Sequence, residues 1–501
     1  MGVFYLLSEK YNISLSRFKK ALKLAVNDFQ KIFVLLKMGE IFSSQHNFVK
    51  LDECLEELEK FDLKDNFKIS FIGLKALNIG LTGKIDEAIS LIEDYIPTIK
   101  TRNDDNYFIK LGALHNNLAF LYHRKKFLDE ADKNFQITKN VWEKSNYIRK
   151  LGVVYNNIGD VALIQGDTKT ALEYFDKAIK ICKKTDSKKI MVLSLLNFGE
   201  TYIKLGKFLL AENYLNQALE ASLSFENRPF YDSIINNLAI SRSKVNNFSY
   251  YLNFIKENFP EIIKGHIEKI NPLTKTYFYF LYNLGNYDTI EKLLKKHKNM
   301  FMESKEQESF NQIYGFLYLK RGEYSKAMNK IEQAFKYSEQ NKSVYAQAIN
   351  YIRLAECHLG IGDTVKAIDI CKKAESICLN NDFNYWLRVV ELRKIKAQLI
   401  DGSINLRILI RRLFVILKYV QKNDLYFLEI EIYELLVQIY ASLNAIGKAK
   451  LFFNTYKNAL NRAVTGLNEK DKEIYLRKSH YYLKDYTKLE TVKIFSQKPE
   501  V

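Results

Sequence analysis

The sequence predicts an all-α solenoid of about 12 helix pairs followed by a C-terminal helix. Three observations predict it. The chain repeats itself at a spacing of 40 residues: Ile158-Gly159 aligns with Phe198-Gly199, Gly166 with Gly206, Ala171 with Ala211 and Ala178 with Ala218. Apolar residues recur at three and four throughout, the helical period, and the alternation typical of strands is absent. Only five prolines interrupt 501 residues that are 47% hydrophobic and 14% aromatic, more apolar surface than a disordered chain carries.

Each repeated position has a physical reason. The first small residue lies midway along the first helix of a pair (helix A), where a Cβ would hold the second (helix B) away. The glycine seven residues on falls at the turn, where positive φ ends helix A without steric cost. The alanine twelve after the first small residue faces helix A: Ala88, Ala131, Ala171, Ala211, Ala327, Ala367 and Ala449. Tyr202, Phe175, Phe135 and Tyr318 are expected to fill the space between repeats. The frame is clear at Ala119, Gly159, Gly199, Gly315 and Ala355, and weaker at Gly2, Gly39, Ala76, Ala239, Phe278, Ala397 and Val437.

This order of Leu-Gly, Tyr, Gly, Ala, Phe and Ala resembles the tetratricopeptide repeat (TPR). The resemblance implies a right-handed superhelix whose A helices line a concave, peptide-binding surface. The usual period is 40 rather than the typical 34. That longer form resembles the arrays of kinesin light chain, of spindle-orientation adaptors and of bacterial peptide-sensing regulators.

The expected organisation is an N-terminal block over 1–256, an irregular repeat or bend at 257–277, a C-terminal block over 278–465, and a final helix and tail over 466–501. The bend rests on Pro260 and Pro272, two of the five prolines, in a stretch of poor repeat signal. The final helix is expected from Lys470 to Tyr486. At the other end, Gly2, Val3, Phe4, Tyr5, Leu6 and Leu7 form an apolar run where a terminal repeat usually presents a polar cap. Either the chain is part of a longer protein, or that edge docks against something.

The formal charge of +18 is spread along the chain, with its densest segment at Arg407, Arg411, Arg412, Lys418 and Lys422. That segment reads as a solvated helix face, and nucleic acid is not the expected partner. Five unclustered cysteines read as free thiols of a reducing, cytoplasmic compartment. No apolar run reaches the length of a membrane span. There is no phosphate-binding loop, no H-E-x-x-H and no C-x-x-C, so no cofactor, metal or catalytic site is expected.

One pattern exceeds what packing requires. Two residues before the small position stand Asn117, Asn157, Asn197 and Asn237, each 40 apart. Asparagine is a mediocre helix former, but its amide offers a donor and an acceptor to one peptide unit. The resemblance implies backbone contact with an extended ligand. By the same offsets Arg124, Asp160, Glu200, Lys204 and Lys244 belong on or beside the inner surface, their mixed signs arguing against a purely anionic ligand. The expectation is therefore a peptide- or protein-binding adaptor or sensor with a groove over roughly 110–250. The alternatives are a structural scaffold, or the regulatory region of a larger signalling protein.

Overall fold

A computed structural model describes residues 11–99, 105–245, 248–258, 260–267, 272–303 and 307–480. Among them there is helix and no strand. The Gly2 frame with Tyr5, the apolar run that contains it and the tail from Lys493 lie outside the described residues. Two compact units divide the chain, Met1–Ser194 and Leu195–Val501.

Every other small position marks the middle or end of its own A helix. In the first unit these are Asp28–Ser44, Asp65–Leu81, Asp105–Arg124 and Ile148–Gln165, alternating with B helices Phe48–Glu59, Ile85–Tyr95, Leu128–Lys144 and Thr168–Thr185. Lys188–Lys204 carries the boundary. In the second unit the A helices are Tyr231–Val245, Pro272–Leu284, Gln307–Lys320, Val344–Gly360, Asn384–Asp401 and Tyr426–Ser442. The last B helix, Ile446–Val464, is followed by Glu469–His480, the described part of the predicted final helix. Pro260 opens a separate four-residue helix, Pro260–Ile263, between Phe248–Asn258 and Pro272–Leu284.

Packing follows the small residues. A Cβ built on Gly159 would stand 2.6 Å from Phe175 Cε1, and one on Gly199 2.6 Å from Leu215 Cγ. All seven helix-B alanines, from Ala88 to Ala449, are fully buried. Two of the four aromatic residues work differently from expectation, whereas Phe135 shares a core with Leu151, Val154 and Ile158 of the next repeat. Phe175 packs on Gly159 of its own helix pair, and Tyr202 stacks on Tyr214 at 5.6 Å, also within one pair. Both join helix A to helix B of a repeat; for Phe175 the missing Cβ of Gly159 on A leaves room for its ring from the facing B.

The turn position is left-handed in repeat after repeat. His46, Gly83, Lys126, Gly166, Gly206, Gly285, Gly322, Gly362 and Asn444, each seven residues beyond a small position, all have positive φ. A second left-handed position closes several B helices: Asn146, Asp186, Lys342, Asp382 and Asp424. Asn and Asp tolerate this region better than other side chains bearing a Cβ. After the first turn an Asx side chain often caps helix B: Asp167 accepts from the Thr170 amide at 3.0 Å, and Asp363 from that of Lys366 at 3.0 Å.

All five cysteines are free and buried. Burial pushes the Cys357, Cys371 and Cys378 thiols up to about 12, so they stay protonated and inert. Among the described residues no helix is long and apolar enough to cross a membrane, and no group of three His, Cys, Asp or Glu side chains could hold a metal ion.

Candidate functional site: the polar face of the A helices

On each A helix the large apolar residues turn inward, and what remains is a narrow polar face. In the first unit this face carries Asn117, Arg124, Asn157 and Asp160, all half-buried. Asn117 Nδ2 donates to the carbonyl of Gly73 on the preceding A helix at 3.1 Å. Arg124 Nη1 reaches the carbonyl of Gly80 at 3.5 Å, its guanidinium 6.0 Å from the Phe120 ring. Asp160 Oδ2 stands 3.1 Å from His123 Nε2. Asn157 makes no side-chain hydrogen bond among the described residues.

The doubled asparagines divide their work. In two of the three pairs Asn116-Asn117, Asn156-Asn157 and Asn236-Asn237 the first asparagine is structural: buried Asn156 accepts a hydrogen bond from Ser194 at 3.1 Å, and in the second unit Asn236 accepts one from Thr276. Each couples neighbouring A helices. The sequence reading singled out the second asparagine and passed over the first, although the doubling itself was visible.

In the second unit Asn197, Glu200, Lys204 and Asn237 are again half-buried. Glu200 pairs with Lys204 at 3.3 Å, and the Lys204 ammonium lies 5.7 Å from the Tyr345 ring centre. Lys244 donates to the Tyr279 hydroxyl at 2.6 Å, with the Tyr385 and Trp386 rings at 5.4 and 5.6 Å. Burial works against its charge. The facing Tyr279 and Tyr385 outweigh that, and its pKa stands above the ordinary lysine value.

Further along this unit the face becomes a chain of charges that the sequence reading did not identify. Arg353 Nη1 pairs with Glu356 Oε2 at 2.8 Å, and Glu356 Oε1 accepts from Arg393 Nε at 2.7 Å. Arg393 goes on to Glu431, which Lys396 also meets at 2.8 Å. Burial alone would raise the Glu356 carboxyl, but Arg353, then Arg393 and Lys320, hold it well below the usual range. Glu431 is likewise depressed, to about 2, by Arg393 and Lys396 against its burial. Burial pushes Glu434, beside them, up.

The missed residues obey the offsets already in hand. Arg353 stands two before Ala355, where the asparagines stand in earlier repeats. Glu356 stands one after it, as Asp160 and Glu200 do, and Lys320 five after Gly315, as Arg124, Lys204 and Lys244 do. Carrying the frame through Gly315 and Ala355 would have found all three.

Models of the tetratricopeptide repeat match residues 110–184 and 193–225. Those two segments are tetratricopeptide repeats. No curated protein matches it. Among solved structures it is similar to the apo form of RapI, at 14% identity over 72% of this chain and 99% of that one, with a TM-score of 0.43. It is also similar to the Cut9–Hcn1 hetero-tetramer of APC/C, at 13% identity over 95% of each chain and a TM-score of 0.47. A third is NprR in complex with its cognate peptide NprX, at 14% identity over 62% of this chain and 94% of that one, with a TM-score of 0.40.

Proposed function

We propose that this protein is an adaptor or sensor that holds a peptide segment of its partner against the polar face of its A helices. One observation carries the reading. At three fixed offsets from the small residue, repeat after repeat presents a polar side chain that is not fully buried: Asn117, Asn157, Asn197, Asn237 and Arg353; Asp160, Glu200 and Glu356; Arg124, Lys204, Lys244 and Lys320. Some of these groups also bond between helices, as Asn117 does to Gly73 and Glu356 to Arg393, but Asn157 and Asn237 make no side-chain bond among the described residues, and a solvated face would not need them in register. An extended peptide has polar groups at regular intervals, and amides held on rigid helices answer them at little entropic cost. The proposed contacts are Asn117, Arg124, Asn157 and Asp160 in the first unit, and Asn197, Glu200, Lys204 and Asn237 in the second. No catalysis is invoked, and the proposed compartment is cytoplasmic.

A scaffold is the second reading, and the bond from Asn117 to Gly73 favours it. There the asparagine supports the array rather than a ligand. Affinity selection from a randomised hexapeptide library, read by mass spectrometry, separates the two. The receptor retains peptides above the level of a helical protein of similar charge, and retention falls on Asn157→Ala and Asn237→Ala. Retention no better than that control would leave the scaffold.

A further inference from the structure

We infer that two neighbouring B helices of the second unit, Leu406–Lys422 and Ile446–Val464, form a docking face for the surface of an anionic lipid bilayer. The face belongs to the B helices, and the inference is independent of the peptide-binding reading.

Neither helix contains an Asp or Glu, and together they carry nine Lys and Arg side chains. They lie side by side, with the Phe414 ring 6.0 Å from that of Phe452. Arg412 and Arg462 are paired, with Glu391 and Glu429. The other seven, Arg411, Lys418 and Lys450 among them, are exposed and have no carboxylate in ion-pair range among the described residues. Like charges four apart on a helix repel, and Arg407 with Arg411 and Lys418 with Lys422 are two such pairs. Other B helices offset their exposed lysines from within. On Thr168–Thr185 Lys177 pairs with Glu173 and Lys180 with Asp176, and on Thr364–Asn380 Lys373 pairs with Asp369. A face that leaves its cations without acids calls for an anion from outside.

The second observation is apolar. Ile408, Phe414 and Val415 on the first helix and Leu451 on the second stand exposed among these cations, Val415 at 62% and Leu451 at 61%. Cations alone would suit any polyanion. The phosphate backbone of a nucleic acid has nothing apolar to cover these side chains, whereas a bilayer has an apolar layer beneath its anionic headgroups. Attachment there grows with the apolar area inserted and with the attraction to the headgroups, and this face supplies both. The attachment is peripheral, since no described helix is long and apolar enough to cross a membrane.

Flotation with vesicles of phosphatidylcholine, alone or equimolar with phosphatidylserine, tests the face. The protein should float with the phosphatidylserine vesicles and not with phosphatidylcholine alone. Each basic residue near such a surface contributes about fivefold, so the triple variant Arg411→Gln, Lys418→Gln, Lys450→Gln should bind on the order of a hundredfold more weakly. The double variant Val415→Ser, Leu451→Ser should bind severalfold more weakly. All five side chains are exposed, so both variants should melt like wild type. A chain of charge +18 is drawn to any anionic surface, so a second triple variant, Lys183→Gln, Lys184→Gln, Lys188→Gln, removes the same charge from exposed positions elsewhere. It should bind like wild type. Equal losses in the two triple variants overturn the inference, as does flotation indifferent to Val415→Ser, Leu451→Ser. Absence of flotation with phosphatidylserine also overturns it. In that case a DNA duplex that wild type binds and the first triple variant does not would give the face to nucleic acid.

Discussion

Gly159 and Phe175 occupy one another's space: the ring of Phe175 sits where a side chain at residue 159 would begin, 2.6 Å from the position of its Cβ. The contact joins helix Ile148–Gln165 to helix Thr168–Thr185 and fixes how closely they approach. Gly159→Leu should therefore destabilise the first unit by about 1–3 kcal/mol or more, since a fully buried ring has nowhere to retreat. Gly166→Val should cost less. Residue 166 has φ of 91°, strained for a β-branched side chain, but it lies at a turn. Thermal melts of the two variants check the order. A wild-type melting temperature for Gly159→Leu would mean that this pair does not set the helix spacing.

Glu356 is the joint of the charge chain, bonded to Arg353 on its own helix and to Arg393 on the next. Glu356→Gln leaves two guanidinium groups short of a counter-charge and should cost about 3–5 kcal/mol, the range for breaking a buried pair. Its pH dependence has a definite sign. The folded carboxyl titrates below the ordinary glutamate value of about 4.3, so its contribution is complete above that value and is lost as pH falls through the lower folded one. The gap in melting temperature between wild type and Glu356→Gln should be constant above pH 6 and narrow below pH ~4. A gap independent of pH would show that the network does not depend on this charge.

Residues 257–277 are proposed as the weakest joint of the second unit. The described part places only the four-residue helix Pro260–Ile263 between Phe248–Asn258 and Pro272–Leu284, and a short helix buries little. Hydrogen exchange should show these amides opening well before those of Val344–Gly360 and Thr364–Asn380. Equal protection across the three segments would remove the joint.

The frame of the fold was legible because its causes are local. A glycine or alanine at a helix contact, a left-handed turn residue and an alanine on the facing helix recur at fixed spacing in most of the described repeats; the repeat of Ala397 departs from it, its left-handed residue being Gly402 and its facing residue Leu409. The turn was partly hidden: His46, Lys126 and Asn444 take the left-handed conformation without being glycine. The partners of the polar face were less legible, because they lie in other repeats. Nothing around Asn117 in sequence indicates that its amide reaches Gly73, and nothing around Arg393 that it links Glu356 to Glu431. Those partners follow from how successive helices stack.

That distinction sharpens the test of the asparagines, which no longer form one class. Asn117 spends a donor on the Gly73 carbonyl, so Asn117→Ala should lose about 0.5–1.5 kcal/mol of stability even though alanine is the better helix former. Asn157 and Asn237 make no such bond among the described residues. Asn157→Ala and Asn237→Ala should melt at or slightly above wild type. If these side chains meet ligand backbone, each variant should bind retained peptides roughly two- to tenfold more weakly, at about 0.5–1.5 kcal/mol for the bond lost. Because the contact is to backbone, the loss should be uniform across peptides of different sequence. Charge reversal at Asp160 or Glu200 should instead change which peptides are preferred. Melting curves beside peptide titrations of Asn117→Ala, Asn157→Ala and Asn237→Ala separate the roles. A folded Asn157→Ala, Asn237→Ala double variant that binds its peptides like wild type would take those two asparagines out of the site, leaving the face to its charges.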